Sequence, residues 1–277
     1  MQQADLDLGS AGFIAFDTET TGLYPLAARL VEIGATRFDA GGEPIAVFEQ
    51  LTNPEMPIPL EAQAVNSITD EMVRNQPTVQ MVLPAFIDFL GGPETILVAH
   101  NAPFDVEFIG VDLLRLGMAL PAHRVFDTCL LARALLPGLR SYRLEALSLV
   151  LGLAPSQAHR ALADAELTKE VLIALLRRAP RIRTVADLAA AAPPIGFERV
   201  RAYKADPPPG LEALGAAIEK RHTIEIVYAG GSKGIGLRKV TPLVLLRCRG
   251  YVYLAAHCHL DGKEKMYRLD RIIELRG

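Results

Sequence analysis

Two carboxylates follow directly after a short apolar run near the start of the chain. In the segment FIAFDTETTGLY, residues 13–24, four apolar residues lead straight into Asp17 and Glu19. Residues i and i+2 of a strand project to the same side, so both acids point together from the end of a buried strand. Ionised acids are costly to desolvate, and two like charges repel unless a cation holds them. The spacing therefore predicts either a cation site or an ordinary acidic turn.

Two later segments carry polar residues at comparable positions. LVAHNAPFD runs from an apolar strand into His100 and Asn101, and Asp105 falls in the first turn of the following helix. In HRALAD, Asp164 belongs to a helix that continues through AELTKEVLIALLRR, and His159 lies five residues earlier. That separation is about 140° around a helix axis, so we place His159 in the loop before the helix. Taken singly, the helix dipole accounts for Asp105, and a surface histidine before an ordinary polar helical position accounts for His159 and Asp164.

The apolar pattern predicts the elements that position these residues. FIAF and TILVA are short runs typical of strands buried on both faces, and RVFDT is a further short strand. RLVEIGATRFDA and EPIAVFEQL, joined at Gly41-Gly42, predict a hairpin, so the first three strands are antiparallel. A helix is predicted over TVQMVLPAFIDFL, and Pro84 should kink or end it. Further helices are predicted over PFDVEFIGVDLLRLG and at about 128–136, 144–151 and 162–178.

The order DTETTG, HNAPFD and HRALAD resembles the three motifs of the DEDDh exonuclease family, which includes the DnaQ-like epsilon subunit of bacterial DNA polymerase III. The resemblance spans roughly residues 11–179. It implies an α/β, ribonuclease H-like fold: a mixed five-stranded sheet with flanking helices. It also implies a metal-dependent 3′→5′ exonuclease that shortens single-stranded DNA and releases nucleoside 5′-monophosphates in DNA repair or degradation.

The resemblance assigns catalytic roles residue by residue. Asp17, Glu19, Asp105 and Asp164 match the metal-binding carboxylates, and His159 matches the general base. Hard oxygen ligands suit Mg²⁺ or Mn²⁺, and two such divalent cations about 3.5–4 Å apart clamp a scissile phosphate. Imidazoles in general titrate near neutral pH, which suits proton transfer from water.

The resemblance also implies contacts with the substrate. Thr20 and Leu23 match positions that seat the terminal nucleotide, and we assign His100, Asn101 and Phe104 to substrate binding as well.

One position departs from the common pattern of the family. Many members read His-Gly-Ile where this chain has Asn-Ser-Ile at residues 66–68, so Asn66 is the predicted contact with the terminal phosphate or sugar. The expected partner is single-stranded DNA or a DNA 3′ end. Short RNA is a competing substrate, because none of the residues named above reads the 2′-hydroxyl. Protein partners are not indicated.

Composition restricts the remaining classes of protein. The chain has 277 residues, of which 50% are hydrophobic and 22% charged, which suffices for one large core and a smaller one. Its three cysteines are odd in number and widely spaced, which favours a reducing compartment over a disulfide framework. The start, MQQADLDLGS, lacks an apolar stretch, so no signal peptide is expected. We expect a cytoplasmic protein without a membrane partner.

Charge is distributed unevenly along the chain. Residues 210–277 carry a formal charge of +5 and residues 1–209 a charge of −8. Between an exonuclease domain at 11–179 and a basic domain at 210–277, residues 180–209 are rich in Pro, Ala and Arg and predict a linker, with a short helix near 184–191. After one helix, the basic segment shows short strands separated by glycine-bearing turns, which predict a small barrel or curled sheet.

The basic segment resembles a WYL domain, which implies an Sm-like or SH3-like β-barrel that senses ligands or binds nucleic acid. Its marks are the opening helix, Tyr228, Pro242, YVYLAA and YRLDRI, whereas Val252 stands where Trp is usual. Tyr253, Arg268 and Arg271 match the ligand or nucleic-acid pocket; the alternative is that the arginines are solvated and the tyrosine fills the barrel.

A different class of function also fits the sequence. An exonuclease fold that only binds nucleic-acid ends would make the chain a noncatalytic nucleic-acid-binding regulator. The five acid and histidine side chains named above favour the enzyme instead.

Overall fold

The chain folds into two compact units in the computed structural model, which describes residues 6–154, 159–230, 234–248 and 250–276. The first unit contains Met1–Ile109 and Pro121–Glu198, and the second contains Gly110–Leu120 and Arg199–Gly277. None of the helices in the described part of the chain combines the length and apolar character that crossing a bilayer demands.

The first unit is built on one mixed sheet. Its strands are β1 (Phe13–Thr20), β2 (Leu30–Phe38), β3 (Pro44–Leu51), β4 (Ile96–Ala99), β5 (Arg124–Asp127) and β6 (Ile195–Gly196). Their order in the sheet is β3-β2-β1-β4-β5-β6. β1, β2 and β3 pair antiparallel, so the predicted hairpin is confirmed, whereas β4 runs parallel to both β1 and β5. The two central parallel pairings bring the carboxyl ends of β1 and β4 to one edge.

The sheet has six strands rather than the predicted five. The additional strand, β6, pairs antiparallel with Arg124 and Val125 and lies within the predicted linker. A strand of two residues is too short to show an alternating apolar pattern, so the sequence carries no signal for it. The same segment contains the short helix expected near 184–191. The domain limits 11–179, 180–209 and 210–277 themselves remain predictions.

Eight helices of the described chain belong wholly or partly to this unit. They are α1 (Leu60–Asn66), α2 (Asp70–Val73), α3 (Val79–Leu90), α4 (Pro103–Leu116), α5 (Thr128–Leu135), α6 (Leu144–Leu151), α7 (Ala161–Arg178) and α8 (Val185–Ala191). The three helices predicted at about 128–136, 144–151 and 162–178 are α5, α6 and α7. Pro84 lies inside α3, which continues to Leu90. Burial of Phe86 and Leu90 beyond the proline accounts for this continuation, because packing offsets the missing hydrogen bond.

Packing of α7 against the sheet fixes one wall of the site described below. β1 and β2 are almost fully buried, as expected for strands covered on both faces. A Cβ at Gly34 of β2 would lie only 2.1 Å from the backbone nitrogen of Leu162 in the first turn of α7. Only glycine permits this approach, so β2 and the start of α7 are held backbone against backbone.

The second unit contains a five-stranded antiparallel sheet. Its elements are α9 (Glu212–Glu219), β7 (Ile224–Ala229), β8 (Ile235–Cys248), β9 (Tyr251–Cys258), β10 (Lys263–Arg268) and β11 (Ile272–Arg276). The strand order is β10-β9-β8-β7-β11, and buried residues including Leu214, Ile226 and Leu254 form its core. Within the described residues, β10 and β11 are both edges, so the sheet does not close into the expected barrel. The sequence shows strands and turns but carries no signal for the pairing that would close them.

Candidate active site

The end of β1 carries the two acids that the sequence places together. Asp17 and Glu19 are two residues apart, and both are less buried than the four residues before them, which are fully buried. Residues 13–16 pair with β2 on one side, and residues 13–15 pair with β4 on the other. The apolar half of the strand thus anchors the polar half at the carboxyl edge of the sheet.

Asp164 joins these two acids from a different element. It lies in the first turn of α7, and carboxylate oxygens of Asp17, Glu19 and Asp164 lie within 4.8 Å of one another. The three residues come from positions up to 147 apart in the sequence. The predicted convergence of these acids is therefore present in the fold.

Asp105 lies beside this group without being one of the three. It is in the first turn of α4, is 2% exposed, and accepts a hydrogen bond of 2.7 Å from the Thr18 hydroxyl. Thr18 lies between Asp17 and Glu19 on β1 but points to the opposite side of the strand. Thr18 was not among the residues predicted from the sequence, although its place inside the DTE triplet was a usable signal.

The four carboxyl groups all hold their protons more tightly than ordinary acids. Burial, followed by the charges of Asp105 and Glu19, raises the pKa of Asp17 well above its usual value. Burial raises the pKa of Glu19 to about 8, and the charge of Asp164 adds to the increase. Burial also raises the pKa of Asp105 to about 7, against the lowering effect of the Thr18 hydrogen bond. The pKa of Asp164 is raised by burial too, although the His159 backbone N–H opposes this.

This electrostatic state fits a divalent cation. Several partly buried carboxylates with mutual repulsion and no arginine or lysine contact within the described residues form an oxygen donor set that a hard cation stabilises. Asp17, Glu19 and Asp164 are the residues that could hold such a cation. Asp105 adds negative charge next to them.

His159 lies at the edge of the acidic group. It precedes α7, as predicted, and its φ of 65° places it in the left-handed region. Its backbone N–H donates to Asp164 Oδ2 at 3.0 Å, and its side chain is 49% exposed, with Nε2 at 3.9 Å from Glu145 Oε1. The backbone turn therefore fixes the imidazole beside Asp164 while leaving it open to solvent.

An ion pair between a buried glutamate and a partly exposed arginine fixes the loop that carries His159. Glu32 on β2 is fully buried, and its carboxylate accepts hydrogen bonds from Arg160 Nε at 3.1 Å and Arg160 Nη2 at 2.5 Å. Its Oε2 also accepts a bond of 2.9 Å from the Ala161 backbone N–H at the start of α7. Glu32 lies opposite Glu19 in the β1–β2 register. Sequence reasoning missed this pair, because its members lie 128 residues apart.

Three of the predicted substrate-binding residues lie around the end of β1. Thr20 is buried and its hydroxyl donates to Gly22 O, whereas Leu23 is 76% exposed. Asn66 is buried and directs its amide toward Thr20 O at 3.4 Å. Ser67, the next residue, has a φ of 59°, in the left-handed region that favours glycine.

The other three predicted substrate-binding residues follow β4. His100 Nε2 donates to Tyr142 O at 2.9 Å, and Nδ1 lies 2.8 Å from Thr128 Oγ1, so both ring nitrogens have partners. Asn101 is exposed with a φ of 61°. The Phe104 ring is half-buried and contacts the Phe108 ring at a tilt of 44°, with 4.8 Å between ring centroids.

A cavity of about 680 Å³ opens beside the acidic group. Asp17, His159 and Asp164 line it together with His100 and Asn101. The segment from Leu139 to Glu145, which precedes and begins α6, also lines this cavity. The acids and the histidine therefore border a space large enough for part of a chain-like ligand.

In the second unit, the three predicted pocket residues lie on or next to strands β9, β10 and β11. Tyr253 lies opposite Arg268 in the β9–β10 register, but the guanidinium of Arg268 stacks 3.7 Å from the ring centroid of Tyr251. Arg268 also pairs with Asp270 at 2.5 Å. Tyr251 is 44% exposed and was not among the residues predicted from the sequence. Arg271 lies near Gly230, where an added Cβ would approach its Nη1 to 3.3 Å.

Comparison with known families identifies the first unit. Residues 14–172 match the family model described as Exonuclease. This chain belongs to the exonuclease family. Its ribonuclease H-like α/β fold agrees with the expected one. Residues 209–276 match the model described as WYL domain, so the exonuclease carries a C-terminal WYL domain.

Individual relatives are also DNA polymerase III subunits or exonucleases. The exonuclease is 43% identical over 166 residues to DNA polymerase III subunit epsilon of Treponema pallidum, a match that covers 59% of this chain and 76% of that one. It is 40% identical over 160 residues to DNA polymerase III PolC-type of Clostridium perfringens, which covers 58% of this chain but only 11% of that protein. Among solved structures it is similar to exonuclease X in complex with 5′ overhanging duplex DNA, with 29% identity, a TM-score of 0.52, and coverage of 65% of this chain and 98% of that chain.

Proposed function

We propose that the chain is a DEDDh-type 3′→5′ exodeoxyribonuclease that uses two divalent cations, Mg²⁺ or Mn²⁺. It removes nucleoside 5′-monophosphates one at a time from the 3′ end of single-stranded DNA. The observation that carries this proposal is the convergence of Asp17, Glu19 and Asp164, with Asp105 beside them and His159 at the edge.

The cations would be held by four carboxylates, those of Asp17, Glu19, Asp105 and Asp164. When bound, divalent cations supply charge neutralisation and polarisation at the scissile phosphate. The raised pKa values of these acids support this assignment, since a cation removes the repulsion and burial penalty that raise them.

His159 acts as the general base in this proposal. It takes the proton of the attacking water, and its exposed ring is able to pass that proton on to solvent. The bond from its backbone N–H to Asp164 keeps the ring beside the carboxylates. Glu145 Oε1 lies 3.9 Å from Nε2 on the same side of the site.

The terminal nucleotide is proposed to occupy the side of the site near Thr20 and Leu23. Leu23 presents an exposed apolar side chain, which suits contact with a base or sugar. Asn66, held against Thr20 O, fixes the backbone that receives the nucleotide. Asn101 and Phe104 are proposed to contact the nucleotide from the other side, and His100 to hold the adjoining loop in place.

DNA is the proposed substrate because the relatives include polymerase III subunits and an exonuclease bound to duplex DNA with a 5′ overhang. A DNA 3′ end is the part of such a molecule that this chemistry consumes. We place the protein in the cytoplasm, in DNA repair or degradation; its three cysteines are free. Short RNA is the alternative substrate.

The C-terminal WYL domain is proposed to bind nucleic acid or a ligand through Tyr253, Arg268 and Arg271. The +5 charge of residues 210–277 supports attraction of a polyanion.

One experiment separates the enzyme from a noncatalytic binder. The full chain is incubated with a 5′-labelled single-stranded DNA oligonucleotide and Mn²⁺, beside the same sequence as RNA. We expect a ladder of shortened DNA and free nucleoside 5′-monophosphates, and no ladder with Asp17→Asn. Asp88→Asn, a matched change on the exposed face of α3, should leave the ladder unchanged. A chain that binds the oligonucleotide but does not shorten it would establish the noncatalytic alternative, and an active Asp17→Asn variant would overturn the metal assignment.

A further inference from the structure

One wall of the cavity beside the acidic group is basic. Arg133, Arg140 and Arg143 line this wall, and all three are exposed. Arg133 comes from α5, Arg143 immediately precedes α6, and Arg140 lies in the loop between these helices. Three cations therefore face the same space as Asp17 and Asp164.

These arginines are not used to balance acids of the protein. Within the described part of the chain, none of the three takes part in an ion pair, and the acids that share the cavity lining are Asp17, Glu145 and Asp164. Glu145 instead lies 3.9 Å from His159. Arginines left unpaired at the mouth of an acidic site are available to an anionic ligand.

The loop that carries the arginines is held in place before any ligand binds. The carbonyl of Tyr142 accepts the hydrogen bond from His100 described above. The Tyr142 hydroxyl donates to Leu136 O at 2.8 Å and lies 3.3 Å from the Leu139 backbone N–H, which donates to it. The Arg133 guanidinium stacks 4.4 Å from the centroid of the Tyr142 ring. A preformed loop loses little conformational freedom on binding, which favours affinity.

The ligand class follows from the reaction. At a 3′ end, every phosphate other than the scissile one lies on its 5′ side. Cations held at the scissile phosphate do not neutralise these other phosphates. Nearby carboxylates that have no positive partner repel them. We propose that Arg140 and Arg143, with Arg133 stacked on Tyr142, form a subsite for backbone phosphates 5′ of the scissile bond. This inference rests on the proposed exonuclease function.

Substrate length provides the test. The 4-nitrophenyl ester of thymidine 5′-monophosphate carries the scissile phosphate but no other, whereas a single-stranded DNA 12-mer carries both kinds. The double variant Arg140→Gln/Arg143→Gln should lower kcat/KM for the 12-mer about tenfold or more, through KM, and leave hydrolysis of the ester unchanged. The slope of log KM for the 12-mer against log salt should fall by about 0.7 for each phosphate that the variant no longer neutralises.

Arg177→Gln is the matched control. Arg177 is exposed near the end of α7, about 20 Å along the helix axis from Asp164, and its replacement changes net charge without reaching the cavity. Substitutions at exposed positions change stability by about 0.5 kcal/mol or less, and melting curves of all variants confirm folding.

The outcomes separate this inference from the proposed function. If the wild-type chain hydrolyses both substrates but the double variant behaves like Arg177→Gln, the subsite is refuted. Equal decreases on the ester and the 12-mer would also refute it, because the arginines would then act at the reacting phosphate. If the wild-type chain hydrolyses neither substrate with Mn²⁺, the proposed function fails and the subsite fails with it.

Discussion

Replacing Glu19 by Gln should stabilise the protein when divalent cations are removed. Burial and the charges of Asp164 and Glu32 raise the pKa of Glu19 from 4.5 to about 8. Between these two values the folded protein keeps a proton on Glu19 that the unfolded chain has released. Stability of the metal-free protein therefore falls as pH rises across this window, and the decrease is complete above pH of about 8.

The magnitude follows from the size of the shift. One pKa unit corresponds to about 1.4 kcal/mol, so the change from 4.5 to about 8 sets an upper figure of about 5 kcal/mol. Because the four acids share one set of repulsions, we take about 2–5 kcal/mol as the working range. For a unit of this size that corresponds to an increase in Tm of about 5–15 °C in Glu19→Gln above pH of about 8. Near pH 4.5 the wild type and the variant should differ little.

Thermal melts in EDTA across this pH range test the prediction. Glu43→Gln, the same change in the exposed turn between β2 and β3, serves as the control and should follow the wild type at every pH. Adding Mn²⁺ should raise the Tm of the wild type at pH of about 8 more than that of Glu19→Gln, because the variant has less repulsion to relieve. If Glu19→Gln is no more stable than the wild type at that pH in EDTA, the four acids do not repel one another in the folded protein.

Two further substitutions test the loop that carries the histidine. His159→Gln should lower kcat on DNA by about 10²–10⁴-fold with little change in KM or Tm, measured by steady-state kinetics and melting curves. An effect confined to KM would contradict its role as the base. Glu32→Ala leaves the buried Ala161 N–H without its acceptor and frees Arg160, so it should lower the free energy of unfolding by about 2–4 kcal/mol in urea titrations. Glu49→Ala, which removes an exposed contact at 3.5 Å from the same arginine, should cost less than about 1 kcal/mol.

Local pattern was sufficient to predict the elements that carry the site. An apolar strand that ends in two acids predicts where Asp17 and Glu19 lie, because strand period alone places them on one side. The helical phase of HRALAD predicts that His159 lies outside α7, and the structure confirms it. These predictions depend on residues within a few positions of one another, where backbone geometry is decisive.

Contacts between residues far apart in the chain could not be predicted from the local sequence pattern. The contact of Glu32 with Arg160, the pairing of β6 with β5, and the stacking of Arg268 on Tyr251 are set by tertiary packing. A glutamate that pairs with a distant arginine and a glutamate that faces solvent can have the same local sequence pattern. The sequence pattern around Glu32 therefore does not predict its partner. The same limit explains why the barrel expected for the WYL domain is not confirmed. Strand positions follow from the sequence, but edge pairing does not.

The Glu32–Arg160 pair also explains how the site keeps its acids free for cations. The negative charge of Glu32 contributes to the raised pKa values of Asp17, Glu19 and Asp164. These residues and Asp105 form one group of neighbouring acids. Among the described residues, Glu32 is the one member of this group that contacts an arginine. Arg160 donates its hydrogen bonds to Glu32, which is paired with Glu19 in the β1–β2 register. The guanidinium thus anchors the start of α7 without neutralising the acids that face the cavity, so those acids retain the negative charge that a divalent cation requires.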